Sequence, residues 1–322
     1  MSDVLAAQTF GKGERGDGGR FARQSSTFRD WVTADGSSGY PAESGRYHLY
    51  VSLACPWAHR TVILRELKGL QDAIGMSIVD PIRDERGWAF TGAPGTTQDR
   101  VNGWVYLSEG YVATDASFDA RVTVPVLWDT KTSRIVNNES ADIVVMLNSA
   151  FDAFATHADL DLYPAALREE IDAINATVYD NVNNGVYRAG FASTQEAYEE
   201  AVYPLFATLD ELDARLQTRR YLIGDGTRQT LADWRLFTTL LRFDPVYVGH
   251  FKCNLRRIVD YPGLSGYLRD LYQTRGVADT VDLDQIKRHY YKTHGGINPT
   301  AIVPVGPVLE LDAPHGREQL GA

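Results

Sequence analysis

Cys55 is the residue whose surroundings best suit chemistry. It follows a short β-prone run, Tyr47 to Leu53, and precedes Pro56, a residue type favoured at the first position of a helix. Unpaired N–H groups and the helix dipole at such a junction favour a thiolate. Ala58 stands three positions later, so no internal Cys-x-x-Cys disulfide can form and an external thiol must complete thiol exchange. The alternative is a buried, inert cysteine at a helix start.

Glu139 and Ser140 form a second candidate pair, at the polar start of an apolar helical pattern. The Ser140 hydroxyl and N–H could bind a carboxylate at the positive end of the helix dipole. Glu139 could accept a hydrogen bond from the ammonium group of a ligand. Both residue types are also common at helix starts, so plain N-capping is the alternative for each.

Four tyrosines lie in segments rich in polar and aromatic residues: Tyr187, Tyr247, Tyr290 and Tyr291. A phenol can donate a proton to a developing oxyanion, and its ring can stack on an aromatic ligand. The chain has 17 tyrosines, so core packing is the alternative for any one of them.

The elements that would position these residues fall in a recognisable order. The pattern predicts a strand, a helix and a strand, then a hairpin and a helix, at residues 47–53, 61–69, 76–80, 121–129, 134–137 and 137–148. This order is that of a thioredoxin-like domain. In such a domain the proline that precedes the third strand, here Pro125 after Val124, is cis and leaves the preceding backbone free to pair with a peptide-like ligand. An ordinary edge-strand proline is the alternative.

The rest of the chain supports a two-domain interpretation. Residues 1–43 are rich in Gly, Ser and Arg and are predicted to be a flexible arm, and residues 82–120 are predicted to be a long loop. From Tyr163 onward the pattern is helical, with a partial capping box at Thr230-x-x-Asp233. We therefore expect an α/β thioredoxin-like domain at 44–150 and an all-helical domain with a C-terminal extension at 163–322.

Composition restricts the class of protein. With 32 basic and 42 acidic residues the net charge is −10, which argues against nucleic-acid binding. The chain has two cysteines, of which Cys253 has no reactive context, and this usage favours a reducing compartment. We find no secretory signal, no apolar run of about 18 residues and no cluster of histidines and cysteines. A cytoplasmic protein without metal or membrane contact is expected.

Several motifs together resemble one family. ACPWAHR, TVPVLWD, NNES, NNGVYRAGFA and IKRHYYKTHGGINP occur in this order and look like the Xi class of cytosolic glutathione transferases, the glutathionyl-hydroquinone reductases. The resemblance extends from about residue 44 to residue 307. It implies the two-domain transferase fold, glutathione as co-substrate, and a homodimer.

The resemblance also implies a reaction. The Cys55 thiolate would attack the glutathione sulfur of an S-glutathionyl-hydroquinone, and the aromatic carbon would leave and take a proton. A second glutathione would then release oxidised glutathione from the mixed disulfide. Val124, Glu139 and Ser140 would hold glutathione, with Trp88 beside it.

The resemblance places three tyrosines in the quinol pocket, where they would assist proton transfer: Tyr187, Tyr247 and Tyr290. The last of these is open by one position, because Tyr291 follows directly. Two other functions stay open. An Omega-like thioltransferase or dehydroascorbate reductase would share Cys55 but not the tyrosine pocket, and a non-catalytic binding module would need neither.

Overall fold

The computed structural model describes residues 16–84 and 86–321. These residues form two compact units, which are described separately. The first unit holds residues 24–161 and 280–294, and the second holds residues 16–23, 162–279 and 295–321. The predicted domain limits stay a prediction, and residues 1–15 of the predicted arm lie outside the described residues.

The strands of the described residues all lie in the first unit. They are β1 (Val32–Thr33), β2 (Tyr40–Pro41), β3 (Tyr47–Val51), β4 (Ile74–Ile78), β5 (Val126–Asp129) and β6 (Arg134–Asn137). β1 and β2 pair in parallel, and the other four form one sheet in the order β4-β3-β5-β6. β3 is parallel to β4 and antiparallel to β5, and β5 is antiparallel to β6.

The helices divide between the units. They are α1 (Pro56–Leu67), α2 (Ser108–Thr114), α3 (Ser140–Ser149), α4 (Arg168–Thr177), α5 (Gly185–Phe191), α6 (Gln195–Leu216), α7 (Leu231–Arg242), α8 (Pro262–Tyr272) and α9 (Leu283–Thr293). α1, α2, α3 and α9 belong to the first unit, and α4 to α8 to the second. The β3-α1-β4 unit, the β5-β6 hairpin and α3 confirm the predicted thioredoxin-like order.

Two strands of the sheet begin at other residues than predicted. β4 lies two residues earlier than predicted, and the strand predicted from Arg121 begins only at Val126. Pro125 immediately precedes that strand and has no N–H to donate to a neighbour. The residues before Pro125 are therefore β-prone in sequence but do not join the sheet.

The segment predicted to be a long loop contains α2 and is ordered around Asp99. This buried carboxylate accepts hydrogen bonds from the backbone N–H groups of Val101, Asn102 and Trp104, and from the hydroxyl of Tyr50 in β3. The segment is therefore attached to the sheet through Asp99 and Tyr50.

Residues 24–30, which we name the N-terminal strap, lie along β6 and the start of α3. The Asp30 N–H donates to the Val136 carbonyl (3.0 Å), and the Asn138 N–H donates to the Phe28 carbonyl (3.1 Å). The composition of these residues instead predicts a flexible arm. Local composition cannot show that a segment pairs with a strand distant in sequence, so the sequence does not indicate the pairing with β6.

The helices of the second unit agree with the prediction, except that one predicted helix is divided. Residues 167–189 have the pattern of a single helix, but the structure divides them into α4, a π-helical turn at Val178–Asn183, and α5. The capping box at the start of α7 is confirmed, with Thr230 as N-cap and Asp233 at the third helical position. Within the described ranges, no helix is long and apolar enough to cross a membrane.

The buried carboxylate of Asp233 accepts four hydrogen bonds. The donors are the N–H and hydroxyl of Thr230, the Leu222 N–H and the Tyr267 hydroxyl. Asp233→Ala leaves these buried donors without a partner, so we expect a loss of roughly 3–5 kcal/mol in the free energy of unfolding. Urea denaturation measures it.

The control is Asp225→Ala, which removes an exposed carboxylate that bonds only to Thr227 among the described residues. We expect it to cost less than about 1 kcal/mol. Equal midpoints for the two variants would contradict the structural role given to Asp233.

Candidate active site

Cys55 lies at the junction of β3 and α1, as the sequence predicts. It is the N-cap of α1, with extended backbone angles and Pro56 as the first helical residue. Its N–H donates to the Ser52 carbonyl (3.1 Å), and its carbonyl accepts from the His59 N–H (3.0 Å). The side chain makes no capping hydrogen bond and is only partly buried, so the thiol is open to reaction.

The Cys55 sulfur lies opposite Val124. Its Sγ atom is 3.7 Å from the Val124 carbonyl oxygen, and the Val124–Pro125 peptide bond is cis, as predicted. The segment before Val124 is held by Tyr111, whose hydroxyl donates to the Thr123 carbonyl (2.8 Å) and accepts from the Thr123 N–H (3.2 Å). Burial raises the pKa of Tyr111, so this phenol stays a donor. The structure therefore brings two of the predicted site residues together.

Glu139 is the N-cap of α3, and Ser140 is the first residue of that helix. The Oε1 atom of Glu139 accepts from the Ala141 N–H (3.0 Å), and Oε2 accepts from the Ser26 hydroxyl (2.8 Å). The Ser140 side chain is buried, and its hydroxyl is 3.4 Å from Oε1. Glu139 thus has the capping role that the sequence left open. A carboxylate has about four acceptor positions, so capping leaves room for a ligand donor.

Trp88 and α9 are in contact within the first unit. The Trp88 ring stacks on His289 at 5.2 Å with an interplanar angle of 19°. The Nδ1 atom of His289 is 2.6 Å from the Pro81 carbonyl oxygen, and its ring lies edge-on to Tyr290 at 5.2 Å. Tyr290 is almost fully buried, and burial raises the pKa of the neighbouring Tyr291. Two predicted site residues are therefore joined through a histidine that the sequence analysis did not select.

Tyr187 and Tyr247 belong to an aromatic cluster of the second unit. Their ring centroids are 6.2 Å apart, and Phe251 lies 5.4 Å from each of them. Gly190 makes this packing possible, since a Cβ atom there would lie 2.2 Å from the Phe251 ring. The Arg23 guanidinium is 4.8 Å from the centre of the Tyr187 ring. The rings of Tyr187 and Tyr247 thus contribute to packing, and this packing fixes the orientation of the rings.

Cys253 differs from Cys55 in its surroundings. It is fully buried, and burial raises the pKa of its thiol far above the usual value. Its Sγ atom lies 3.8 Å from the Phe251 carbonyl oxygen and 4.0 Å from that of Val186. A thiol kept protonated in this way behaves as a small apolar side chain.

The predicted site residues divide between the two units. The first unit holds Cys55, Trp88, Val124, Glu139, Ser140 and Tyr290, and the second holds Tyr187 and Tyr247. Sequence reasoning missed Ser26, Arg23, His289 and Phe251, which contact these residues. His289 lies in the IKRHYYKTHGGINP motif that holds Tyr290, and Phe251 lies four residues after Tyr247, whereas Ser26 had no signal. No group of three His, Cys, Asp or Glu side chains suited to a metal occurs in the described part of the chain.

Family models match both parts of the chain. Residues 54–150 match the glutathione S-transferase N-terminal domain, and residues 195–270 match the glutathione S-transferase C-terminal domain. The thioredoxin-like sheet and the helical second unit agree with these matches.

Curated relatives and solved structures are similar over nearly the whole chain. The glutathionyl-hydroquinone reductase YqjG of Escherichia coli is 53% identical over 94% of this chain and 93% of its own. The glutathionyl-hydroquinone reductase PcpF of Sphingobium chlorophenolicum is 52% identical over 92% of this chain and 93% of its own. The Xi-class glutathione transferase structure from Natrialba magadii superimposes with a TM-score of 0.90 at 53% identity, covering 93% of each chain. The glutathione-bound structure of YqjG gives a TM-score of 0.88, covering 91% of this chain and 96% of that one.

The order of elements, the cysteine at the start of α1 and these similarities agree. The chain belongs to the glutathione transferase family and, within it, to the Xi class of glutathionyl-hydroquinone reductases.

Proposed function

We propose that this protein uses glutathione to reduce S-glutathionyl-hydroquinones to hydroquinones through Cys55. The observation that carries the proposal is the partly exposed Cys55 thiol at the start of α1, opposite the Val124 carbonyl, with no partner cysteine three residues later. A single thiol in this position can form a mixed disulfide with glutathione, and only an external thiol can resolve it.

The proposed reaction has two steps. The Cys55 thiolate attacks the glutathione sulfur of the substrate, the bond from that sulfur to the aromatic carbon breaks, and the carbon takes a proton. The products are the hydroquinone and a Cys55–glutathione disulfide. A second glutathione thiolate then attacks this disulfide, which frees Cys55 and forms oxidised glutathione.

Glutathione recognition is assigned to groups of the first unit. Val124 offers backbone groups for peptide-like pairing, and Ser140 lies at the positive end of the α3 dipole, where a carboxylate is favoured. Glu139 supplies a negative charge for the glutathione ammonium. Trp88 is nearly buried, and its indole N–H has no hydrogen-bond partner among the described residues, so a donor is left for a ligand.

The tyrosines are assigned to the aromatic part of the substrate. Carbon is a poor leaving group, so the ring must be protonated and the charge on its oxygen stabilised. Tyr187 and Tyr290 could supply the proton or hydrogen bond, and Tyr247 could form part of the pocket wall. Rings held by packing, as those of Tyr187 and Tyr247 are, present their hydroxyls in fixed directions.

Two further assignments belong to this proposal. A homodimer follows from membership of the Xi class as the resemblance describes it. A cytoplasmic location follows from the reducing conditions that a glutathione-dependent thiol enzyme needs.

The difference between the two cysteines predicts their order of alkylation. With limiting iodoacetamide at pH 7.5, we expect Cys55 to react at least roughly tenfold faster than Cys253, because the thiolate is the reactive form and Cys253 is buried and protonated. Peptide mass mapping at successive times measures both rates. Equal rates, or faster reaction at Cys253, would contradict the assignment of Cys55 as nucleophile.

The tyrosine hydroxyls are predicted to matter for one substrate class only. Tyr187→Phe and Tyr290→Phe keep the rings and remove only the hydroxyls. Because the hydroxyls assist proton transfer, each variant should lose roughly 10²-fold or more in activity on glutathionyl-hydroquinone. Each should keep most of its activity on hydroxyethyl disulfide, because thiolate leaves a disulfide with little acid assistance. Steady-state rates on both substrates measure the contrast.

Two variants serve as controls for the tyrosine prediction. Tyr198→Phe removes a hydroxyl that donates to the Lys252 carbonyl (2.7 Å) and should leave both activities unchanged. Tyr291→Phe tests whether its neighbour Tyr290 is correctly assigned. If both activities fall together in Tyr187→Phe, its hydroxyl is structural. If neither falls, the Omega-like thioltransferase function is favoured instead.

A further inference from the structure

The N-terminal strap reaches the residue to which we assign the glutathione ammonium. The Ser26 hydroxyl donates to Oε2 of Glu139 at 2.8 Å and lies 3.4 Å from the Asn138 carbonyl oxygen. The other carboxylate oxygen, Oε1, already accepts from the Ala141 N–H. Ser26 is therefore the group that fixes the second oxygen of this carboxylate.

Ser26 is itself held in place, because the strap is attached on both sides of it. On one side, the Gln24 side chain donates to the Arg121 carbonyl (3.3 Å) and accepts from the Arg121 N–H (3.0 Å). On the other side, the Phe28 N–H donates to the Asn138 side chain (3.0 Å). Because Ser26 is already held in place, little further conformational entropy is lost when its hydroxyl orients the Glu139 carboxylate.

The charges around Glu139 leave its carboxylate as the attractive group for a cation. Asp142, in the first turn of α3, accepts hydrogen bonds from Nε and Nη2 of Arg29, at 2.5 and 2.9 Å. Glu139 has no ion pair within the described residues, and its hydrogen-bond partners Ser26, Ser140 and Ala141 are neutral. An ammonium group would therefore find its counter-charge at Glu139.

We propose that Ser26 is a positioning residue for glutathione, which holds the Glu139 carboxylate in the orientation that receives the ligand's ammonium group. This inference rests on the proposed role of Glu139. The N-terminal strap would then be part of the glutathione site, acting through Glu139 rather than on the ligand directly.

The test measures glutathione binding by calorimetry in the full chain carrying Cys55→Ser, which prevents disulfide formation. Ser26→Ala should weaken binding roughly twofold to tenfold, as loss of one orienting hydrogen bond implies, and Ser26→Thr should restore it. N-acetylglutathione lacks the ammonium, so Ser26→Ala should leave its weaker binding unchanged. In a Glu139→Gln background, Ser26→Ala should add less than about twofold.

A matched control removes a comparable hydrogen bond elsewhere in the first unit. Ser117 donates to the Asp115 carboxylate at 2.6 Å, so Ser117→Ala should leave glutathione binding unchanged. Equal weakening of glutathione and N-acetylglutathione by Ser26→Ala would show a merely structural role and overturn the inference. Unchanged glutathione binding in Ser26→Ala would also overturn it if Glu139→Gln weakens binding. Unchanged binding in Glu139→Gln itself would instead overturn the proposed role of Glu139.

Discussion

The start of a helix cannot satisfy its own first N–H groups, and Cys55 lies at such a start, as the N-cap of α1. The chain turns from β3 into α1 at this residue, and Pro56 can occupy the first helical position because it has no N–H to satisfy. The sulfur does not cap the helix, so it stays available beside the Val124 carbonyl. The exchange with glutathione that we propose for this thiol thus depends on a local feature of the backbone.

The opposite side of the site depends on a network that begins in the N-terminal strap. Asn138 accepts from the Phe28 N–H and donates to the Tyr111 hydroxyl (3.1 Å), which in turn holds the Thr123 carbonyl. Val124 follows Thr123 directly, so the backbone facing Cys55 is linked by hydrogen bonds to the strap. The strap contacts Glu139 as well. One short segment therefore supports two of the positions that we assign to glutathione.

The sequence predicted those parts of the fold and site that are written in local patterns. Cys55 before Pro56, the Thr230–Asp233 capping box and the β5-β6 hairpin are short-range features, and the structure contains all three. The attachment of the segment around Asp99 to the sheet was missed, because the hydrogen bond that makes it comes from Tyr50, which is distant in sequence. The interruption between α4 and α5 was missed because a single π-helical turn is too short to be seen in the apolar pattern. Ser26 was missed because a serine in a polar stretch is indistinguishable from a linker residue until its partner is known.

A single-turnover experiment shows whether Cys55 takes glutathione from the substrate. The enzyme is mixed with a stoichiometric amount of S-glutathionyl-hydroquinone without free glutathione, quenched with acid, and analysed by intact and peptide mass spectrometry. We predict one hydroquinone released per glutathione attached, with the attachment at Cys55. Hydroquinone release with no modification of Cys55, or with glutathione attached at Cys253, would contradict the assignment of Cys55 as the nucleophile.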